Sequence, residues 1–309
     1  MTVALVGYGI IIDDIVFPDG RTHMGVLGGG GPQTCWGMAC AAGDSSQVGI
    51  ISGIGSDIDA TYLAPLANTG INMDGIRLTQ FPTTRTWNVL EHDGSRRHVW
   101  RVNPATIDKQ LRRGYDAAYV DATWFHWGIN PGDCEVDIQA AADLKARGKR
   151  VSLETFQPPD QPLSSEALQR LMSMCDLFSP NNYEAAGIIN SNDISVIAQT
   201  FRDAGAKRLA VRQGAEGASL FDFEQGIRVR TGIVPTTVVD PVGAGNTFCG
   251  ALIARIYAGD TLSDAAAYAS ASASYMVEQI GMPPDGLPSS DDYEKRLATA
   301  RSTIETIAL

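Results

Sequence analysis

Charge, cysteine and aromatic residues are all sparse in this chain. Asp, Glu, Lys and Arg together make up 19% of 309 residues and aromatics 7%. The basic side is the smaller: 24 Lys and Arg against 35 Asp and Glu leave a net charge of −11. That balance argues against a nucleic-acid polyanion as the main partner, although glycine loops and helix N-termini can still supply local positive potential for an anionic ligand. The five cysteines, Cys35, Cys40, Cys134, Cys175 and Cys249, form no C-x-x-C pair and no dense framework. A disulfide scaffold is thereby excluded, and a reduced, cytoplasmic setting is the simplest reading. No apolar run reaches bilayer-spanning length; "MTVALVGYGIII" is broken by glycines and has neither a basic leader nor a small-residue cleavage site, so it reads as a buried first strand and not as a membrane segment. There is also no internal repeat, no low-complexity linker and no charged tail. Residues 1–309 read as one domain with a small appendage.

What is present is apolar material, 44% of the chain, enough for one large core or two modest ones. Short β-rich runs ("VALVGYG", "VGIISG", "AAYVDAT", "RVSLET", "DLFSPN", "RLAVRQG") alternate with helical stretches such as Asp133–Arg147 and Ser191–Ala204. This alternation predicts an α/β fold with a doubly wound, mostly parallel sheet flanked by helices. Between Gly75 and Val102 the rhythm breaks: "IRLTQFPTTRTWNVLEHDGSRRHVWRV" shows strand-like alternation about an "HDGS" turn, and reads as a hairpin inserted in or projecting from the body. Further on, Phe248, Leu252 and Ile256 repeat at helical spacing, Gly259 can end that helix, and "TLSD" at Thr261–Asp264 resembles a capping box.

Three glycine clusters stand out. "GGGGPQT" at Gly28–Thr34 lacks the Lys-Ser/Thr ending of a P-loop, and "GYGIII" lacks the third glycine of a dinucleotide fingerprint. "GAGN" at Gly243–Asn246 has what an anion hole needs, glycines for close backbone approach and a helix behind them. Spacing alone fits a tight turn equally well.

The combination is more specific. "GGGPQTCWGMACAAG" (Gly29–Gly43), "GIGSD" (Gly53–Asp57), "PNNYE" (Pro180–Glu184), "RQGAEGA" (Arg212–Ala218) and "DPVGAGNTFCGA" (Asp240–Ala251) follow the order and rough separations of the ribokinase-like (PfkB) carbohydrate and nucleoside kinases, which this chain resembles over nearly its whole length. The resemblance implies a ribokinase-like fold with a small β-sheet lid, its strands within about 10–30 and 75–102, and an ATP- and Mg2+-dependent phosphotransferase acting on a hydroxyl of a sugar, nucleoside or related metabolite. It implies substrate contacts at Asp14 (Asp13 in the alternative register), Gly29, Gly30 and Thr34, the last standing where the family usually has asparagine. Toward the nucleotide it implies Asn181, Arg212, Gly214, Gly217 and Asp240, with Glu184 helping to hold magnesium. Lids in this family often pair, so a homodimer through the lid is implied as well.

Gly243, Ala244 and Gly245 keep the family's anion hole, but Asn246 stands where the family has its catalytic aspartate. An amide cannot accept the acceptor hydroxyl's proton near neutral pH and can only orient it. Two readings follow: a kinase with an atypical site, its base supplied from elsewhere such as Asp240, Asp14 or the substrate, or an impaired pseudokinase that binds nucleotide or metabolite in a regulatory role. A divergent subset of the family, including the fungal killer-maintenance proteins, resembles this chain in that asparagine. The family's Asp-x-Asn-x-Arg pattern is also replaced, by Glu154-Thr155-Phe156-Gln157, so the acceptor side looks rebuilt. Trp87 and Trp100 in the lid, and Trp124, Phe125, His126 and Trp127 past a predicted strand, are candidates for stacking on a ligand or for packing. Arg96, Arg97 and Arg101 on the hairpin can meet a ligand anion or protect a strand edge.

Overall fold

The structure, a computed structural model, describes residues 2–92 and 96–309. Among the described residues fourteen strands form two sheets: β1 (Leu5–Tyr8), β2 (Ile11–Val16), β3 (Thr22–Gly28), β4 (Val48–Ile54), β5 (Asn72–Leu78), β6 (Arg85–Leu90), β7 (Arg96–Trp100), β8 (Trp124–Ile129), β9 (Arg150–Thr155), β10 (Leu177–Ser179), β11 (Arg208–Arg212), β12 (Ala218–Asp222), β13 (Ile227–Thr231) and β14 (Glu305–Ala308). The larger sheet runs β14-β13-β12-β11-β10-β9-β8-β1-β4-β5. From β11 to β5 its pairs are parallel, and β12, β13 and β14 extend it antiparallel.

Parallel strands are covered on both faces, which is why they read as unbroken apolar runs. Neighbours along a strand feed opposite layers: Leu5, Trp124 and Ala210 join one core, and Val6, Phe125 and Leu209 the other. The first core is closed by α1 (Gly30–Ala42), α2 (Ala60–Ala67), and, with α3 (Pro104–Leu111) and α4 (Glu135–Ala146), α5 (Ser165–Met174), α6 (Asn182–Ile189) and α7 (Ile194–Asp203) intervening in the chain, by α8 (Ala244–Tyr257), α9 (Leu262–Met276) and α10 (Ser290–Arg301). Residues of α4, α5, α6 and α7 close the second.

β1 is the third strand from one edge, with β4 and β5 on one side and β8 on the other. The chain thus reverses direction of build between β1 and β8, and crevices at such switch points are where ligands of doubly wound sheets bind. The smaller sheet, β3-β2-β6-β7, stands apart from the larger one.

Two strand expectations are corrected. The alternating segment from Gly75 is not all appendage: β5 pairs parallel with β4 from Gly49↔Asn72 to Ile54↔Leu78, and only β6 and β7 join the smaller sheet. An edge strand with one solvated face alternates just as a lid strand does. Of the expected "HDGS" turn, residues 93–95 lie outside the described residues. "AAYVDAT" is not a strand: Asp116 Oδ1 accepts from the Ala118 N–H at 2.9 Å and caps a single turn at Ala117–Tyr119, so β8 starts only at Trp124. Trp124, Phe125, His126 and Trp127 consequently lie within a buried strand rather than beyond its end.

Candidate active site

Helix α8 begins without a side-chain cap. Gly243, at φ 89°, turns the chain into the helix, and Asp240 Oδ1 accepts from the Val242 N–H at 2.9 Å to set that turn. The left-handed φ favours glycine, and the first N–H groups of the helix are left for a ligand. Pro241, Val242, Gly243, Ala244, Gly245 and Asn246 all line one cavity of about 1130 Å³, giving it an anion-binding helix N-terminus. A Cβ on Gly245 would collide with the Arg212 guanidinium, so glycine lets the turn rest on that cation.

Glycine also fixes the partner of Asn246. Helices α1 and α8 cross so closely that a Cβ on Gly37 would meet the Thr247 carbonyl, and one on Gly250 the Thr34 carbonyl. The crossing brings Gln33 of α1 to 2.7 Å from the Asn246 amide. On the other side of that amide stand the Glu154 oxygens Oε1 and Oε2, at 2.9 and 3.1 Å. A carboxylate only accepts, so the Asn246 nitrogen faces Glu154 and its oxygen faces Gln33, whose side-chain amide then turns its nitrogen toward that oxygen.

Glu154, at the carboxyl end of β9, is 2% exposed and lines the cavity. Arg212 Nη1 lies 3.1 Å from its Oε2, His126 Nε2 3.4 Å from Oε1, and the Cys249 thiol 3.6 Å from Oε2. Burial pushes the carboxyl's pKa up, but His126 and Arg212 outweigh it and hold the group below its ordinary range. Burial pushes the Cys249 thiol up to about 12. His126, Glu154 and Cys249 offer atoms within 4.8 Å of one another, as a metal site would. With Arg212 already answering the carboxylate and the thiol kept protonated, the cluster is better read as a polar core beneath the cavity. A Cβ on Gly30 would stand 3.3 Å from Glu154 Oε1, so this carboxylate lies beside Gly30 as well as the α8 turn.

The smaller sheet turns a polar row toward the cavity: Asp13, Thr86 and Asn88 line it and are buried. Thr86 Oγ1 donates to Asp13 Oδ1 at 2.8 Å, and Asn88 Oδ1 has no partner among the described residues. Two residues expected at the substrate, Asp14 and Thr34, do not line the cavity, while their neighbours Asp13 and Gln33 do. Asp14 does not line the cavity; successive strand residues alternate faces, and its carboxylate is held by Arg101 and by the Gly25 N–H at 2.8 Å. Asp13, the alternative register, faces the site. Thr34 is likewise buried in the α1–α8 crossing, and Gln33 is the α1 side chain that reaches the cavity.

Of the nucleotide-side expectations, Asn181, Arg212, Gly214 and Gly217 line the cavity and Asp240 does not. Asn181 caps α6, with its Oδ1 accepting from the Glu184 N–H at 2.8 Å. Glu184 Oε2 accepts from the Asn181 N–H at 2.7 Å and from Thr155 Oγ1 at 2.5 Å, and lies 3.5 Å from Arg212. The expected metal-holding carboxylate is therefore a capping-box residue set behind the cavity wall, which it does not line. Trp127 and Trp100 line the cavity, Trp100 edge-on to Phe156 at 6.1 Å, whereas Trp87 is 41% exposed and carries Arg101 over its ring. Arg97 lines the cavity too. Gln33, Thr86 and Asn88 escaped the sequence reading; only the two-residue period of β6 marks Thr86 and Asn88 as sharing a face.

The cavity lies at the switch point of a doubly wound sheet, with the uncapped N-terminus of α8 on one side of a buried carboxylate and the Asp13–Thr86–Asn88 row on the other. The family model described as "pfkB family carbohydrate kinase" matches residues 7–288, and the chain belongs to that family of small-molecule phosphotransferases. It is 26% identical over 267 residues to the cytidine kinase of Thermococcus kodakarensis, covering 85% of this chain and 91% of that protein. It is 24% identical over 255 residues to a nucleoside kinase of Methanothermobacter thermautotrophicus, covering 81% and 78%. Among solved structures, Arabidopsis thaliana ribokinase with ribose and ATP matches at TM-score 0.70 and 21% identity, over 96% of this chain and 99% of that one. A provisionally named ribokinase II of Escherichia coli, solved with ATP and Mg2+, matches at TM-score 0.70 and 20% identity, over 97% and 100%. These structural likenesses show a common fold. Among the described residues no helix is long and apolar enough to cross a membrane.

Proposed function

We propose that this chain transfers the terminal phosphoryl group of ATP to a hydroxyl of a small metabolite, a sugar, nucleoside or related compound. The observation that carries the reading is the shared cavity, into which the uncapped N-terminus of α8 and the Asp13–Thr86–Asn88 row both open. The acceptor lies on Gly29 and Gly30, whose lack of Cβ lets it approach the backbone, with its hydroxyls toward Asp13 and Asn88. A carboxylate and an amide together accept and donate to such hydroxyls. The triphosphate ends at Gly243–Asn246, where backbone N–H groups meet charge developing on the transferred group, and Arg212 lies immediately beneath.

Magnesium bound with ATP supplies charge neutralisation along the phosphates. The donor set suits an ion held mostly by phosphates and retained waters: Asn181 lines the cavity, Glu184 stands behind it, and both carboxylates near the turn are engaged by Arg212. Trp100 and Phe156 help to shield the acceptor end from water. Five free cysteines support a reducing compartment, the cytoplasm, and the exposed lid residues Trp87 and Val99 support pairing of lids in a homodimer.

Mass spectrometry of nucleosides and sugars incubated with protein, ATP and Mg2+ tests the proposal; a phosphorylated product is expected, and neither product nor ATP consumption across the panel would overturn it. The amide at Asn246 favours one second reading, an impaired kinase with a regulatory role. Its signature is tight ATP-analogue binding without turnover.

A further inference from the structure

We propose that Glu154 is the general base of this site, with Asn246 as its positioning partner. The inference rests on the phosphotransferase reading above and says how that chemistry proceeds with an amide on α8.

The geometry narrows the choice of base. The reacting hydroxyl has to lie between the glycine floor of the acceptor and the N-terminus of α8. Glu154 lies beside both, with Oε1 next to Gly30 and its two oxygens 2.9 and 3.1 Å from the Asn246 amide. The other carboxylates fit less well. Asp14 faces away and is held by Arg101, and Asp240 and Glu184 do not line the cavity. Asp13 lines it, but on the smaller sheet, where its carboxyl lies against Gly28 and accepts from Thr86, and Asp160 lines it from an exposed position after β9.

Every element packed on Glu154 favours its ionised form or is neutral toward it. His126 approaches from β8, Arg212 from β11, the protonated Cys249 thiol and the Asn246 amide from α8, and Gly30 from α1. Glu184 shares Arg212 with it, the guanidinium lying 3.1 Å from Glu154 and 3.5 Å from Glu184. An aspartate at position 246 would set a second carboxylate within hydrogen-bond reach of Glu154, where the two cannot both ionise.

In the step itself the acceptor O–H gives its proton to a Glu154 oxygen as the acceptor oxygen bonds to the terminal phosphorus of ATP. The bond from that phosphorus to the bridging oxygen breaks, its electron pair leaves with ADP, and the carboxyl then returns its proton to solvent.

The test compares wild type, Glu154→Gln, Asn246→Asp and the double exchange, using the acceptor found by the metabolite panel. Glu154→Gln is expected to lower kcat by about 10²–10⁴-fold, to bind ATP analogue as wild type does, and to lose the acid limb of the pH–kcat/KM profile. Asn246→Asp is expected to keep an acid limb displaced to higher pH, since one proton is then shared between two carboxylates. The double exchange restores a carboxylate facing an amide and should recover activity over Glu154→Gln. If Glu154→Gln keeps wild-type kcat and its acid limb, the base assignment is overturned while the phosphotransferase reading stands. Should Glu154→Gln not fold, Asn246→Asp decides: an unmoved acid limb overturns the assignment. A wild type that binds ATP and phosphorylates nothing defeats the phosphotransferase reading, and the base assignment with it.

Discussion

Arg212 stands 3.1 Å from Glu154 in a site that leaves the two side chains only 12% and 3% exposed, so each is the other's main counter-charge. Its second nitrogen donates to the Ser179 carbonyl at 2.7 Å. Removing one member of a buried pair costs about 3–5 kcal/mol, because the survivor keeps its charge in a low-dielectric site. Arg212→Met should therefore destabilise the protein by that order and more than Glu154→Gln does, since glutamine still offers an oxygen to the guanidinium. Urea denaturation followed by circular dichroism measures both. Equal losses for the two variants would show that the pair does not act as its geometry implies.

The one-residue difference between Asp13 and Asp14 gives a kinetic prediction. Asp13 faces the cavity and Asp14 faces Arg101. A hydrogen bond to a charged group is worth about 1.5–3 kcal/mol, so Asp13→Asn should raise the acceptor KM roughly 10–100-fold while leaving ATP-analogue affinity alone. Asp14→Asn should act mainly on thermal stability, by freeing Arg101. Steady-state kinetics paired with melting curves separates them, and the reverse pattern would restore the register in which Asp14 contacts substrate.

How far the residues announce this arrangement depends on what each signal encodes. The strands "VGIISG" and "RLAVRQG" were legible from short apolar runs, as strands buried on both faces of a parallel sheet need, whereas "RVSLET" sets the buried Ser152 and Glu154 between its apolar residues. The turn at Gly243 was legible because its chemistry is local: a turn aspartate, a left-handed glycine, then a helix. Gln33 was not, because its position is set by Gly37 and Gly250 at the crossing of helices more than two hundred residues apart in sequence. Glu154 could be seen to replace a family motif, but not to face Asn246, since strand end and helix start meet only in the folded sheet. Glu184 shows the opposite limit: a capping-box residue and a metal-holding carboxylate share one local pattern, Asn-x-x-Glu.

The close seat of Gly245 on Arg212 predicts a steric effect on nucleotide binding. Gly245→Ala places a methyl where the guanidinium lies, so the helix turn or the cation has to move. Overpacking of this kind costs about 1–3 kcal/mol, and here it falls on the N–H groups that would hold the terminal phosphate. ATP-analogue affinity should drop, and calorimetric titration reads the change directly. Undiminished affinity in a stably folded Gly245→Ala would place the phosphate away from this turn.

Away from the cavity, Asp176 ties strand ends together and predicts a pH dependence of stability. Its oxygens accept from the Val151 N–H at 3.0 Å and from Lys207 Nζ at 3.1 Å, with Lys145 at 3.9 Å. Burial pushes its pKa up, but the Val151 N–H and both lysines outweigh it and hold the carboxyl below its ordinary value of 3.8. A carboxyl whose folded pKa is depressed binds protons more readily in the unfolded chain. Its contribution is therefore complete above the unfolded pKa and is lost as pH falls through the folded one. Asp176→Asn should be less stable than wild type at neutral pH, and the gap should close as pH drops below 3.8. Denaturant midpoints collected from neutral pH down to the acid transition give that difference, and a gap that stays constant through the acid range would mean that the Asp176 charge contributes nothing to the fold.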